Sequence, residues 1–293
     1  GGAAVSGTIT VNIEDDGPHF TEESVGSITS FEGDFALSFG ADGAAEAGAL
    51  VANGQTLTTA DGTTYTGTVD GGTLTVTKGT DGKWTYEYTP SASDQDLTFS
   101  KEITLVAKDG DQDTDSIKLT IGQDLNPTIP DGGSINATLV TDESYLAEGT
   151  VTSGAVSPAN DPGSKTASGS FTVDLHGEHA TSTITITHGE NTLTLTYADG
   201  QWGVDQAAGV AGEYGTLTAT ATQSGNQVTV NYIYTQTGVV DHDDSSDPDD
   251  TALGADSFAV SVSDGGAAVS GTITVNIEDD GPVLNSITVD GTP

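Results

Sequence analysis

The chain has 293 residues, 44 of them acidic against six lysines and no arginine, for a formal net charge of −38 at pH 7. That balance excludes nucleic-acid binding, which needs cationic side chains to displace counterions from phosphate, and disfavours docking on an anionic membrane surface. Cysteine and methionine are absent, which removes disulfides, thiolate metal sites and thiol catalysis. No apolar run approaches a membrane-spanning length, and 34% hydrophobic content suits two β-domains with thin cores. The acids cluster at turns, which favours neutralisation by divalent cations over a merely solvated, salt-adapted surface.

Residues 1–18, GGAAVSGTITVNIEDDGP, recur letter for letter at 265–282, an identity that marks the chain as part of a tandem array. The word alternates apolar and polar residues like a half-buried strand, then runs through Glu-Asp-Asp into Gly-Pro, which stops it. Residues 1–18 therefore read as the last strand and linker of a preceding repeat. A first domain, 19–127, holds strand-like runs at 55–59, 63–69, 73–78, 83–89 and 101–107, with Asp-Gly hairpin signals at 61–62, 70–71 and 81–82. Its segment 42–52, DGAAEAGALVA, is the best helix candidate, with a loop as the alternative. A second domain, 128–282, has runs at 168–175, 181–187, 191–197, 215–222, 227–235 and 256–263, and residues 283–293 open the next repeat. Short strands joined by polar turns predict an all-β chain: two tandem antiparallel β-sandwiches, immunoglobulin-like or cadherin-like, in an extended arrangement.

Residues 109–127 align without gaps to 264–282, both reading Asp-Gly, a spacer, an alternating strand, an acidic turn and Pro. Within that stretch, Asp109, Asp111, Asp113 and Asp115 stand at alternate positions. Four carboxylates so close repel one another unless a hard cation such as Ca²⁺, which takes six to eight oxygen ligands, neutralises them. The run is not an EF-hand, since Thr114 and Thr120 occupy the places of its Gly and Glu. At the aligned places of the second domain Asp264 remains, but Gly266, Ala268 and Ser270 replace the other acids. The two domains are therefore two kinds of module, and the period of the array is a pair. A second acidic run, 241–250, reads either as a calcium loop built on Asp241, Asp243 and Asp244 or as a solvated insertion. The junction acids Glu14, Asp15 and Asp16, and their copies Glu278, Asp279 and Asp280, are the best candidates for linker ligands, with a plain turn that uses Asp for its geometry as the alternative. Asp124 holds the comparable place between the domains, with Asp142 and Glu143 contributing from the start of domain two. Glu22, Glu23, Glu32 and Asp34 are weaker candidates.

Catalytic patterns are poor. HGEH at 176–179 reads as a turn rather than a metal-binding helix, and no Gly-x-Ser-x-Gly elbow occurs. The Thr runs at 183–187 and 192–196 are too few for a flat ice-binding face and read as exposed strand faces. Trp84 and Trp202 read as core aromatics, one per domain, rather than sugar platforms.

The strand-closing IEDDGP, the DGDQDTDS segment, the TDESYL opening at 141–146 and the GTLT…NQVTVNYIYT pattern before an acid-rich loop resemble the tandem repeats of giant type I-secreted RTX adhesins of Gram-negative bacteria. The resemblance covers most of 1–282. It implies an extracellular, cell-surface location, several Ca²⁺ ions at and near the linkers, neighbouring repeats of the same chain as the main partners, and a role in adhesion and biofilm formation. The glycine-rich nonapeptide roll of RTX secretion regions is absent. The combined reading is a monomeric, non-enzymatic stalk repeat stiffened by Ca²⁺, without membrane insertion. The alternative is a module that binds a glycan or peptide, more naturally in domain two.

Overall fold

The computed structural model describes residues 8–11, 15–242 and 250–281. Glu14, Asp243, Asp244 and residues 283–293 lie outside the described residues. The chain divides into two compact units, Gly1–Asp124 and Leu125–Pro293.

Unit 1 contains β1 (His19–Phe20), β2 (Ser24–Gly26), β3 (Glu32–Phe35), β4 (Leu37–Ser38), β5 (Leu50–Ala52), β6 (Gln55–Thr56), β7 (Thr58–Thr59), β8 (Thr64–Val69), β9 (Gly72–Lys78), β10 (Trp84–Thr89), β11 (Phe99–Lys108) and β12 (Thr114–Gln123). They form two five-stranded sheets, β3-β10-β9-β8-β7 and β2-β12-β11-β5-β6, beside a small β1-β4 pair. Unit 2 contains β13 (Ala137–Asp142), a 3₁₀ turn (Glu143–Tyr145), β14 (Thr166–Asp174), β15 (Thr183–His188), β16 (Asn191–Ala198), β17 (Gln201–Val204), β18 (Val210–Ala211), β19 (Gly215–Ser224), β20 (Gln227–Gln236), β21 (Thr251–Ser263) and β22 (Val269–Glu278). Its sheets run β13-β22-β21-β15-β16-β17 and β14-β20-β19-β18. In each unit a strand near its start pairs parallel with its last strand, β2 with β12 and β13 with β22, and the other pairings are antiparallel. Each unit is thus an immunoglobulin-like sandwich.

Alternation explains why these segments are strands. WTYEYT at β10 buries Trp84, Tyr86 and Tyr88 and exposes the residues between them, as a period of two requires when one face is dry. Trp84 stacks on Phe35, and its indole N–H donates to the Leu37 carbonyl at 3.1 Å. The Asp-Gly signal at 70–71 closes the β8–β9 hairpin, with φ of 48° and 86° at the two residues. Those left-handed values make a type I′ turn, in which glycine is free of Cβ strain. The two tyrosines of β10 have counterparts, Tyr232 and Tyr234, in β20. Tyr86 lies over Gly33 and Tyr232 over Gly169, where a Cβ would meet the phenol oxygen at 2.6 and 2.5 Å respectively.

Two expectations are corrected, and one segment folds differently from its copy. Residues 42–52 form turns and then β5, not a helix, because Gly43 and Gly48 take left-handed φ and Ala44 bridges to Asp109. The gapless alignment of 109–127 with 264–282 is out of phase by one residue on the final strand. The buried positions Ile117, Leu119 and Ile121 match Ile273, Val275 and Ile277, so the second hairpin is one residue longer. A one-residue slip would turn every apolar side chain outward. Finally, residues 8–11 of the first copy of the repeated word form no strand. Ile9 and Val11 are exposed, whereas Ile273 and Val275, the same letters in the second copy, are fully buried between β13 and β21. Neighbouring strands decide whether that sequence folds.

Candidate metal centres

In unit 1, β11 ends at Lys108 and the chain turns sharply through Asp109–Asp113. Asp109 N–H donates to the Asp113 carbonyl, Gln112 N–H donates back to the Asp109 carbonyl, and Gln112 takes a left-handed φ of 79°. The turn folds three alternate aspartates onto one another. Asp15, from the segment before β1, joins them, so that one carboxylate oxygen each from Asp15, Asp109, Asp111 and Asp113 lies within 4.8 Å of the others. Asp109 is 0% exposed. Its Oδ1 accepts the Asp113 N–H at 2.8 Å, while its Oδ2 is buried with no hydrogen-bond partner. Gly17 passes beside it, where a Cβ would stand 3.9 Å from that oxygen.

The electrostatics follow from crowding. Asp111 is pushed up to about 6 chiefly by the adjacent Asp109 carboxylate, then by burial and by the charges of Asp15 and Asp42. Asp113 is raised chiefly by Asp15. An orphaned buried carboxylate oxygen among three more carboxylates suits a hard cation, because all donors are oxygen and none is soft. Asp115 takes no part: its Oδ2 accepts the Phe20 N–H at 2.8 Å and its Oδ1 the Ser116 N–H. Alternate spacing would have pointed all four acids one way along a strand, but the turn ends at Asp113 and Asp115 already lies in β12. Asp42, which adds to the negative potential at Asp111, had no sequence signal beyond being one more Asp-Gly turn residue. Asp16 is exposed and its N–H donates to Asp15 Oδ1.

In unit 2 the parallel β13–β22 pairing sets Asp142 opposite Glu278. Asp142 and Glu143 thus stand at the same end of the unit as the 278–280 acids, and are not a separate entry site. Asp142 is buried. It accepts the Ser144 N–H, and burial raises its carboxyl, with Asp161 beside it. Glu143 is raised by burial and accepts the Val240 N–H at 2.6 Å. Asp280 accepts the N–H and hydroxyl of Thr150, which occupies its oxygens structurally. Glu143, His242 and Asp279 present one ligand atom each within 4.8 Å of one another. Asp241, Glu278 and Asp124 are exposed. Asp264 accepts the Gly266 N–H within its own turn.

HGEH forms the expected turn after β14, with His176 at φ 48° and its Nε2 3.1 Å from the Thr128 hydroxyl. The Thr faces of β15 and β16 pair directly, Thr187 with Thr192 through their hydroxyls. Trp202 is partly buried and packs against the core beside Tyr197. Among the described residues no helix is long and apolar enough to cross a membrane.

Neither a known protein family nor a curated protein matches this chain. Solved structures do resemble it. A three-domain immunoglobulin fragment of titin aligns over 89% of the chain at 7% identity and a TM-score of 0.39, and the chain spans 65% of that fragment. The EC1-3 repeats of mouse clustered PcdhgC3 align over 91% at 14% identity and a TM-score of 0.30, with 69% of that chain covered. The EC22-24 repeats of mouse Cadherin-23 give 92%, 10% and 0.28, with 66% covered. The sandwich assignment rests on the sheet order and register given above.

Proposed function

We propose that the chain is a pair of structural modules from the tandem array of a bacterial surface adhesin, and that Ca²⁺ ties the first junction word to the module that follows it. The observation that carries this reading is the buried, unpartnered Oδ2 of Asp109 within a set completed by Asp15. Asp15 belongs to the repeated junction word, whereas Asp109, Asp111 and Asp113 belong to the hairpin of unit 1. A cation held by all four would clamp the linker onto the domain. Without it, the four carboxylates repel, and the linker is released. Extracellular modules bind Ca²⁺ with Kd on the order of 10⁻⁴–10⁻³ M, so the clamp would be open where calcium is scarce and closed outside the cell. Asp109, Asp111 and Asp113 hold the ion and Asp15 carries the mechanical link. The role is non-catalytic.

Calorimetric titration of Ca²⁺ into the full chain tests this. Asp109→Asn and Asp15→Asn should each weaken binding at one site, and Asp115→Asn should leave it unchanged. Binding that is indifferent to Asp109 would overturn the reading.

A further inference from the structure

His242 occupies an unusual position in unit 2. Its side chain is only 6% exposed, yet both ring nitrogens are buried without a hydrogen-bond partner. Each nitrogen nevertheless faces carboxylate. Nε2 lies 3.7 Å from Oε1 of Glu143 and 4.0 Å from Oδ1 of Asp279, and Nδ1 lies 4.0 Å from Oδ2 of Asp250. Charge-assisted hydrogen bonds close to about 2.7–2.9 Å, so none of these contacts is one. The two Nε2 contacts stand within about 1 Å of the ligand-to-ligand edge of a tetrahedral metal, about 3.3 Å for bonds of about 2.0–2.1 Å, so the three arms would close inward on an ion.

The surrounding backbone fixes the three arms. Glu143 sits in the 3₁₀ turn capped by Asp142 and is held by the Val240 N–H. Asp279 is anchored by its N–H to the Asp250 carbonyl at 2.8 Å. Asp250 accepts the Thr251 N–H on its Oδ1 at 2.8 Å, which leaves Oδ2 turned to the imidazole.

We propose that Glu143, His242 and Asp279 form a site for a borderline divalent metal of the Zn²⁺ class, distinct from the all-oxygen set of unit 1. An imidazole with two carboxylates is a donor set that Zn²⁺ accepts readily, whereas Ca²⁺ prefers oxygen alone. Asp250 lies behind the ring, 4.0 Å from Nδ1, where a carboxylate closing to hydrogen-bond distance would orient a metal-bound histidine. The site joins the turn after β13, the segment after β20 and the exit from β22, so a bound ion would fasten the end of unit 2.

The test is calorimetric titration of Zn²⁺ into the full chain in saturating Ca²⁺, which fills the oxygen sites first. One equivalent should bind, and His242→Gln should weaken it by at least about a hundredfold, with Asp250→Asn costing about tenfold. Asp109→Asn should leave Zn²⁺ binding unchanged, which separates this site from the calcium reading. Nitrogen-15 spectra of the intact wild-type chain provide a readout independent of whether the variants fold. Of the five histidines, only His242 should change its ring-nitrogen shift with the first equivalent. Absence of binding, binding equal in His242→Gln, a first-equivalent shift at other histidines, or displacement of Zn²⁺ by the Ca²⁺ present would each overturn the proposal.

Discussion

Asp109 shows at the scale of one residue how a side chain can be arranged for a partner that the chain itself does not provide. One carboxylate oxygen closes the hairpin by accepting the Asp113 N–H; the other is buried and unanswered beside further acids. Burying a charge without a partner is costly, and a cation removes that cost. Asp109→Asn keeps the shape and removes the charge. In chelator it should therefore melt at or above the wild-type temperature, and it should gain little from Ca²⁺; thermal melting in both conditions checks this. The raised carboxyl of Asp111 gives a pH dependence of definite sign. Its folded value of about 6 lies above its ordinary 3.8, so the folded state holds a proton that the unfolded state has lost. In chelator, that contribution to stability is complete below about pH 4 and vanishes as pH rises through about 6. Melting temperatures across that window should fall for wild type, and the fall should shrink in Asp111→Asn.

Among the elements, the two units solve one packing problem with opposite charges. Tyr234 donates to Oδ2 of Asp256 at 2.6 Å, and this fully buried carboxylate also accepts the N–H groups of Glu213 and Tyr214. In unit 1 the corresponding tyrosine, Tyr88, instead meets Lys101 of β11, whose Nζ is 3.1 Å from its hydroxyl, while the register match of Asp256 is Ile103. Asp256→Ala would leave the buried Tyr234 hydroxyl and two part-buried N–H donors unanswered and should cost unit 2 about 3 kcal/mol or more, read by denaturant unfolding. Gly169→Val drives a side chain into the Tyr232 ring, and should cost about 1–3 kcal/mol by overpacking. The long hairpins could be read from the sequence because alternation and Asp-Gly turns are local signals. The short strands β1–β4 lack that alternation, and the β21 bulge between Ala252 and Asp256 adds a strand start that no periodicity marks. The convergence of Glu143 with Asp279 depends on a parallel pairing of distant strands, which leaves no local trace.

For the whole molecule, tandem repetition was visible in the sequence as the eighteen repeated letters, and two β-sandwiches followed from strand spacing. The repeated word also shows the limit of that reading, since one copy folds as β22 and the described part of the other does not form a strand. The difference between the modules is sharper than sequence comparison allowed: unit 1 gathers Asp15 onto a three-aspartate turn, and unit 2 instead assembles a histidine with carboxylates at its exit. Two separate cores predict separable unfolding transitions, and only the unit 1 transition should respond to the proposed clamp. Scanning calorimetry of the full chain in chelator and in about 10 mM Ca²⁺ tests the central claim most directly. If Kd is about 10⁻⁴ M, binding adds about 2.7 kcal/mol, which for a domain of this size raises one transition by about 10 °C. The account predicts that shift for wild type and its loss in Asp109→Asn; equal transitions in chelator and Ca²⁺, or a shift that survives the substitution, would contradict it.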